Sequence, residues 1–230
     1  MKNNKHHCDL ASCFLCTLCL KEWLPAIDAH RKTINVKKGT VLFNEGDVVT
    51  GIYFMYQGMV KVHKKWGSDK ELILRLAGKG AIVGHRGLGK VNVYPITATA
   101  LENSVVCFID LAFFEATLKV NQDFSYKLMM FFAEELQESE KNMRNLAHMP
   151  VKGRVATLLL MLAESFGTTP DGFIDINLSR QDLASYAGTT YETFFRTLNE
   201  LSEEGSIALD GKNIAVKNKE LLIHYTKDGS

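Results

Sequence analysis

The sequence predicts an α+β chain: an N-terminal jelly roll of the double-stranded β-helix kind, then a long helix, then a C-terminal winged helix-turn-helix. Three observations carry this. Short apolar stretches from Ile34 to Ile109 are interrupted by glycine at 39, 46, 51, 58, 67, 78, 80, 84, 87 and 89, and strands so short and so regularly punctuated suit an antiparallel sandwich. From about Phe113 glycine vanishes until Gly153, and the apolar period changes from two to helical. Toward the C-terminus two helical patterns with capping signals flank Gly188, and alternating strands follow around an Asp-Gly turn.

Length and composition bound the class. A chain of 230 residues has room for two modest domains, and 46% hydrophobic with 23% charged residues is ordinary for a soluble protein. The run Leu10 to Leu20 is about half the length of a membrane span and carries three cysteines. A cytoplasmic protein without membrane contact is expected. The boundaries expected are a cysteine-rich segment at 1–22, a β-roll sensory domain at 23–116, a dimerisation helix at 117–147 and a winged helix at 148–230.

Within the β-roll, Lys38 to Asp47 shows the local grammar: a glycine turn, a strand, then a turn built from Asn44, Gly46 and Asp47. Alternation in Val60-Lys61-Val62-His63 puts His63 on a strand's outer face. Farther on, Met129, Leu136 and Met143 lie seven apart, as do Phe132, Ser139 and Leu146, offset by three. This is an a/d seam of about two heptads, flanked by Glu134, Glu135, Glu138, Glu140, Lys141 and Arg144. It reads as a homodimer seam, or as one amphipathic helix packed on its own domain. Pro150 breaks the helix after Ala147-His148-Met149 and marks a hinge. A further helix follows from Val151 to Phe166, with Val155, Leu158, Leu159 and Leu162 on one face.

The strongest signal runs from Ser179 to Leu198. Ser179 with Asp182, and Thr189 with Glu192, have capping-box spacing, and Gly188 supplies the tight corner between two helices. Phe194, Leu198 and Leu201 share one face of the second helix, which leaves Tyr191, Glu192, Phe195, Arg196 and Asn199 facing outward. Ile207 to Val216 forms a hairpin wing. Double-stranded DNA is the expected partner, met by Arg180, Thr189, Thr190, Tyr191, Glu192, Phe195, Arg196 and Lys212. Arg196 can donate a bidentate pair to guanine or contact phosphate; Glu192 can accept from cytosine or only close the cap. Phe195 cannot hydrogen-bond a base, so it packs on a thymine methyl or joins the core. Residues 148–230 hold 8 Lys+Arg against 11 Asp+Glu, a balance of −3. That runs against a basic footprint, although docking needs only a local cationic face.

The five cysteines are Cys8, Cys13, Cys16, Cys19 and Cys107, four of them within twelve residues. In a reducing compartment they suit an iron-sulfur cluster, a structural zinc aided by His6 or His7, redox thiols, or plain packing as small hydrophobes. No phosphate-cradling glycine loop, His-Glu-x-x-His or Gly-x-Ser-x-Gly is present, so an enzyme is not expected.

With these residues in view, the chain resembles the cyclic-AMP receptor protein and FNR family of bacterial transcription regulators over about residues 20 to 225. Thr190-Tyr191-Glu192-Thr193-Phe194-Phe195-Arg196 looks like the family's Val-Glu-Thr-x-Ser-Arg signature, with Phe195 where serine is usual. The resemblance implies a cyclic-nucleotide-binding-like β-roll, a dimer that binds DNA, and RNA polymerase as a partner. It places an effector pocket around Gly84, His85, Arg86, Tyr94 and Thr97. A cyclic-AMP site of this family needs a glutamate where His85 stands and an Arg-Ser pair where Tyr94-Pro95 stands. Cyclic AMP is therefore not the expected effector, and a redox, gas or other small-molecule signal is. His85 itself reads as a solvent-facing loop residue or as a haem or metal ligand. Cys107 occupies the place of the FNR branch's distant cluster ligand, but the N-terminal spacing departs from that branch's Cys-x2-Cys-x5-Cys. The rival to a DNA-binding regulator is a metal- or ligand-sensing module whose winged helix contacts a protein.

Overall fold

The computed structural model describes residues 12–67 and 70–227. Two short helices, α1 (Phe14–Leu18) and α2 (Leu24–His30), precede eight strands: β1 (Lys32–Val36), β2 (Val41–Phe43), β3 (Gly51–Gln57), β4 (Val60–Trp66), β5 (Lys70–Ala77), β6 (Ile82–Val83), β7 (Thr97–Ala100) and β8 (Ser104–Asp110). They form two four-stranded antiparallel sheets, ordered β1-β8-β3-β6 and β2-β7-β4-β5. This is the jelly roll that the glycine punctuation predicts.

Period-two alternation gives the first sheet two buried faces. Met55, Val83 and Val106 face the sandwich interior with Phe43, Val60, Val62, Ala98 and Tyr94. Their neighbours Phe54, Ile82 and Cys107 face the opposite way, into a second cluster closed by helices. That cluster takes in Leu15, Cys13, Cys16 and Cys19 from the N-terminal segment, Phe113 and Phe114 from α3 (Leu111–Val120), and Phe124 and Leu128 from α4 (Gln122–His148). Asp110 caps α3 by accepting from Phe113 N–H at 3.0 Å.

His63 lies on the outer face of its strand, as the alternation predicts, but neighbouring side chains bury it there. The extra residue of the register shift between β4 and β5 is Leu74 on β5, so β4 keeps its alternation: Val60 and Val62 enter the sandwich core, and His63 shares the other face with Lys61, Thr99 and Glu71. His63 is buried, with Nδ1 2.8 Å from Glu71 and Nε2 2.9 Å from the Thr99 hydroxyl.

The long helix α4 crosses the division between two compact units, residues 1–135 and 136–230. Met129, Leu136 and Met143 stand more than half exposed along it, Ser139 and Leu146 are exposed, and Phe132 is half-buried. The second unit comprises the end of α4, α5 (Val151–Phe166), α6 (Arg180–Tyr186), α7 (Tyr191–Glu203), the hairpin β9 (Ile207–Asp210) and β10 (Asn213–Val216), and α8 (Lys219–Thr226). Its core joins Val155, Leu158, Leu159 and Leu162 of α5 to Leu183, Phe194, Leu198 and Leu201, all buried. Each such side chain contributes roughly 1.5–3 kcal/mol of apolar burial, enough to hold a small three-helix core around the turn. Among the described residues no helix is long and apolar enough to cross a membrane.

Candidate functional site

Local capping sets the reading helix. Ser179 accepts from Asp182 N–H at 3.0 Å and starts α6. The chain then turns through Gly188, whose φ of 62° lies in the left-handed region that glycine adopts without a Cβ penalty. The cap of α7 is Thr190, accepting from Thr193 N–H at 3.3 Å, one residue later than the Thr189–Glu192 spacing suggests. Thr189 is still turn, its N–H bonded to the Ala184 carbonyl at 3.0 Å, so it cannot open the helix. Glu192 therefore lies in the first turn without closing a box to Thr189.

The outward face of α7 carries Tyr191, Glu192, Phe195 and Arg196, all exposed, with Asn199 half-buried. Phe195 does not join the core: its ring stacks on Tyr191 at 6.3 Å between centroids and 10° between planes. Arg196 keeps a side chain 73% exposed and a loose 3.9 Å contact to Glu200, which leaves its guanidinium available to an incoming acceptor. Arg180 and Lys212 behave differently. Arg180 donates to the Gly211 carbonyl at 3.1 Å and Lys212 to Asn177 Oδ1 at 2.8 Å, so both tie the wing turn to the start of α6.

Arg154 escaped the sequence reading. From α5 it donates to the carbonyls of Ala187 (2.9 Å), Gly188 (3.2 Å) and Met149 (2.7 Å), clamping the corner of the helix-turn-helix. A lone arginine at the start of an apolar helix gives no sequence signal of this role.

In the β-roll the expected pocket residues divide. Tyr94 is buried, stacked on Phe43 at 3.9 Å, and donates to the Gly51 carbonyl at 2.6 Å. Gly84 adopts φ of 90° and lies so near that an added Cβ would stand 3.1 Å from the Tyr94 ring. Thr97 accepts from Glu45 N–H at 3.0 Å. His85 and Arg86 turn elsewhere. His85 is buried, not solvent-facing, and its Nε2 bonds Glu135 Oε2 at 2.8 Å while Nδ1 has no hydrogen-bond partner among the described residues. Arg86 Nε donates to the same oxygen at 3.0 Å, and Arg75 donates to Glu135 Oε1 at 2.5 Å and to the Ile82 carbonyl.

Glu135 is thus no solvated flank of a helical seam. Burial alone would raise its pKa, but the His85 hydrogen bond and the charges of Arg75 and Arg86 outweigh that and hold it down at about 2. Burial pushes His85 below its ordinary value against the pull of Glu135, which favours a neutral ring donating from Nε2. The available hint was Arg75, a lone charge among the apolar residues of Leu72 to Leu76.

Cys13, Cys16, Cys19 and Cys107 are buried in the one apolar cluster, and none is in a disulfide. Cys8, His6 and His7 lie outside the described residues. Burial, then the neighbouring Cys13, pushes the Cys19 thiol up to about 12. Among the described residues no three His, Cys, Asp or Glu gather closely enough to hold a metal ion.

Known proteins match both parts. Residues 33–121 fit the cyclic nucleotide-binding domain family, and residues 153–225 the Crp-like helix-turn-helix domain family. The chain is 30% identical over 203 residues to the anaerobic regulatory protein of Bacillus subtilis, covering 87% of this chain and 84% of that one. It is 31% identical over 183 residues to the cAMP-activated global transcriptional regulator CRP of Salmonella typhimurium, covering 77% and 85%. The structure of FixK2 from Bradyrhizobium japonicum superposes with a TM-score of 0.76 at 22% identity, covering 87% of this chain and 99% of that one, a likeness of fold. Members of the family bind DNA as dimers and are not enzymes. A capped helix-turn-helix with its wing, a jelly roll and a long helix between them, each matched in order, assign this chain to the Crp/Fnr family of bacterial transcription regulators.

Proposed function

We propose that this chain is a cytoplasmic, homodimeric, sequence-specific regulator that answers a redox, gas or small-molecule signal other than cyclic AMP and acts with RNA polymerase. The observation that carries the effector reading is the Glu135 carboxylate. It engages Arg86 and Arg75 and accepts from the His85 ring, so both arginines are already committed to an internal anion, and buried Tyr94 with Pro95 stands where a cyclic phosphate requires Arg-Ser. Relatives of nearly equal identity include a cAMP-activated and an anaerobic regulator, so the site chemistry has to choose between them. Without charge-assisted contacts a buried phosphate loses several kcal/mol. Titration calorimetry is expected to give no micromolar binding of cyclic AMP; a micromolar constant overturns the reading.

The cysteines supply the other half. Four soft sulfur donors in one apolar cluster fit iron-sulfur chemistry by donor type, and the donor set, not the described geometry, carries this reading. Four of Cys8, Cys13, Cys16, Cys19 and Cys107 would hold the cluster, which leaves one of the five a spectator. When bound, it would supply sensitivity to oxygen or nitric oxide. The residues themselves shield the site from water and join the N-terminal segment to β8 and the start of α4. Iron and sulfide analysis of anaerobically purified protein tests this: iron-free, colourless protein returns the cysteines to zinc or packing.

The exposed seam on α4 supports a homodimer, which would space two α7 helices for successive major-groove faces. The acidic balance of residues 148–230 favours the rival, a protein-binding winged helix. Anisotropy with pooled genomic fragments separates them, since only DNA binding falls steeply with salt.

A further inference from the structure

We propose that Tyr191 and Phe195 form an apolar ledge on α7 that reads thymine methyl groups in the major groove. This rests on α7 being the DNA-reading helix.

The two residues are one helical turn apart and stand 42% and 48% exposed, with their rings nearly parallel at 10°. The core-facing side of α7 is already filled: Phe194, Leu198 and Leu201 are fully buried. A residue directly after Phe194 lies about a quarter-turn round the helix, so Phe195 is kept out of the core by the helix period. Two large rings left about half exposed on an otherwise polar face keep apolar surface open to a partner.

The flanking groups say what occupies that face. Glu192 and Arg196, both exposed on the same side, are hydrogen-bonding readers of base edges. A phenyl ring has no donor or acceptor, and the thymine C5-methyl is the one apolar group that base edges present in the major groove. Prestacked aromatic rings with two rotatable bonds each also lose little side-chain freedom on contact. The pair therefore adds apolar readout of thymine beside the polar readout, at the position where the family signature has serine.

The test uses the full chain. It selects its operator from a random duplex library, and each thymidine of a half-site is then replaced in turn by deoxyuridine, which removes the methyl and keeps the pairing. Binding is expected to weaken about three- to fourfold at one or two positions per half-site, the loss for one buried methyl-sized group. Phe195→Ser changes only the exposed face; it is expected to carry the loss already and to be indifferent to those replacements. Indifference of the unaltered protein to deoxyuridine at every position overturns the ledge while DNA binding stands. Equal sensitivity in the unaltered protein, Phe195→Ser and Tyr191→Ser also overturns it, because the methyl then acts through the duplex. If no sequence is selected at all, the DNA-reading assignment of α7 falls, and the ledge falls with it.

Discussion

The β-roll and the winged helix use the same kinds of side chain in opposite ways. The β-roll closes its polar groups on one another: His85, Arg75 and Arg86 meet Glu135, while Lys61 and His63 meet Glu71. The winged helix turns its polar and aromatic groups outward on α7 and spends its internal hydrogen bonds on caps and on the Arg154 clamp. The difference teaches where each unit is vulnerable. Changes in the first should appear as lost stability and altered pH response, and changes in the second as lost affinity with the fold intact.

The largest effect is expected where the long helix exposes its seam. Leu136→Asp places an unpaired charge in the proposed dimer interface, at a cost of about 3–5 kcal/mol for a charge buried without a partner. Sedimentation should show monomers with weak DNA binding; an intact dimer would move the interface elsewhere.

Glu135→Ala should come next. It strands Arg75, Arg86 and His85 without their anion and is expected to cost about 2–4 kcal/mol in urea unfolding, below the fully buried figure because both arginines are partly exposed. The pH response sharpens the point. A carboxyl lowered from 4.5 to about 2 contributes stability that is complete above pH 4.5 and is lost as pH falls toward 2. Burial of His85 acts in the same sense, its share being lost as pH falls below 6.5. The unaltered protein should therefore lose more stability between pH 4.5 and 2 than Glu135→Ala does. Parallel acid curves for the two proteins would refute the network.

On α7 the loss should be of recognition. Arg196→Ala is expected to weaken cognate binding by about 1–3 kcal/mol and to relax choice at one base pair per half-site, with unfolding unchanged. Equal losses on cognate and scrambled DNA would make Arg196 a phosphate contact. The smallest effect concerns the cap: Thr190→Ala should destabilise by about 1 kcal/mol and Thr189→Ala by less, by thermal unfolding. The reverse order would restore Thr189 as the cap.

Much of this was legible in the sequence because it is local. Ser179, Gly188 and the Phe194-Leu198-Leu201 spacing specify a capped turn within twenty-odd residues, and the structure has it, apart from a one-residue slip in the second cap. The glycine punctuation and the change of period likewise announced a jelly roll followed by a long helix. The outward direction of Arg196 and Tyr191 follows from the same period.

What only the tertiary structure decided concerns groups far apart in the chain. Glu135 meets His85, Arg86 and Arg75 across 50, 49 and 60 positions, and periodicity could place it only on a helix flank. Thr99 and Glu71, from the two neighbouring strands, bury His63 on the outer face of β4, where alternation alone would leave it in water. The pleat of β8 sent Cys107 to the helical side and Val106 to the sandwich, which brought a distant cysteine into the cluster of the N-terminal three. The sequence by itself determined the elements, their caps and their apolar faces, because backbone sterics and side-chain period act between near neighbours. Which charges are buried together, and which thiols share a core, depends on contacts made only once the sheets and helices have packed, and these set the environment that fixes each group's charge and reactivity.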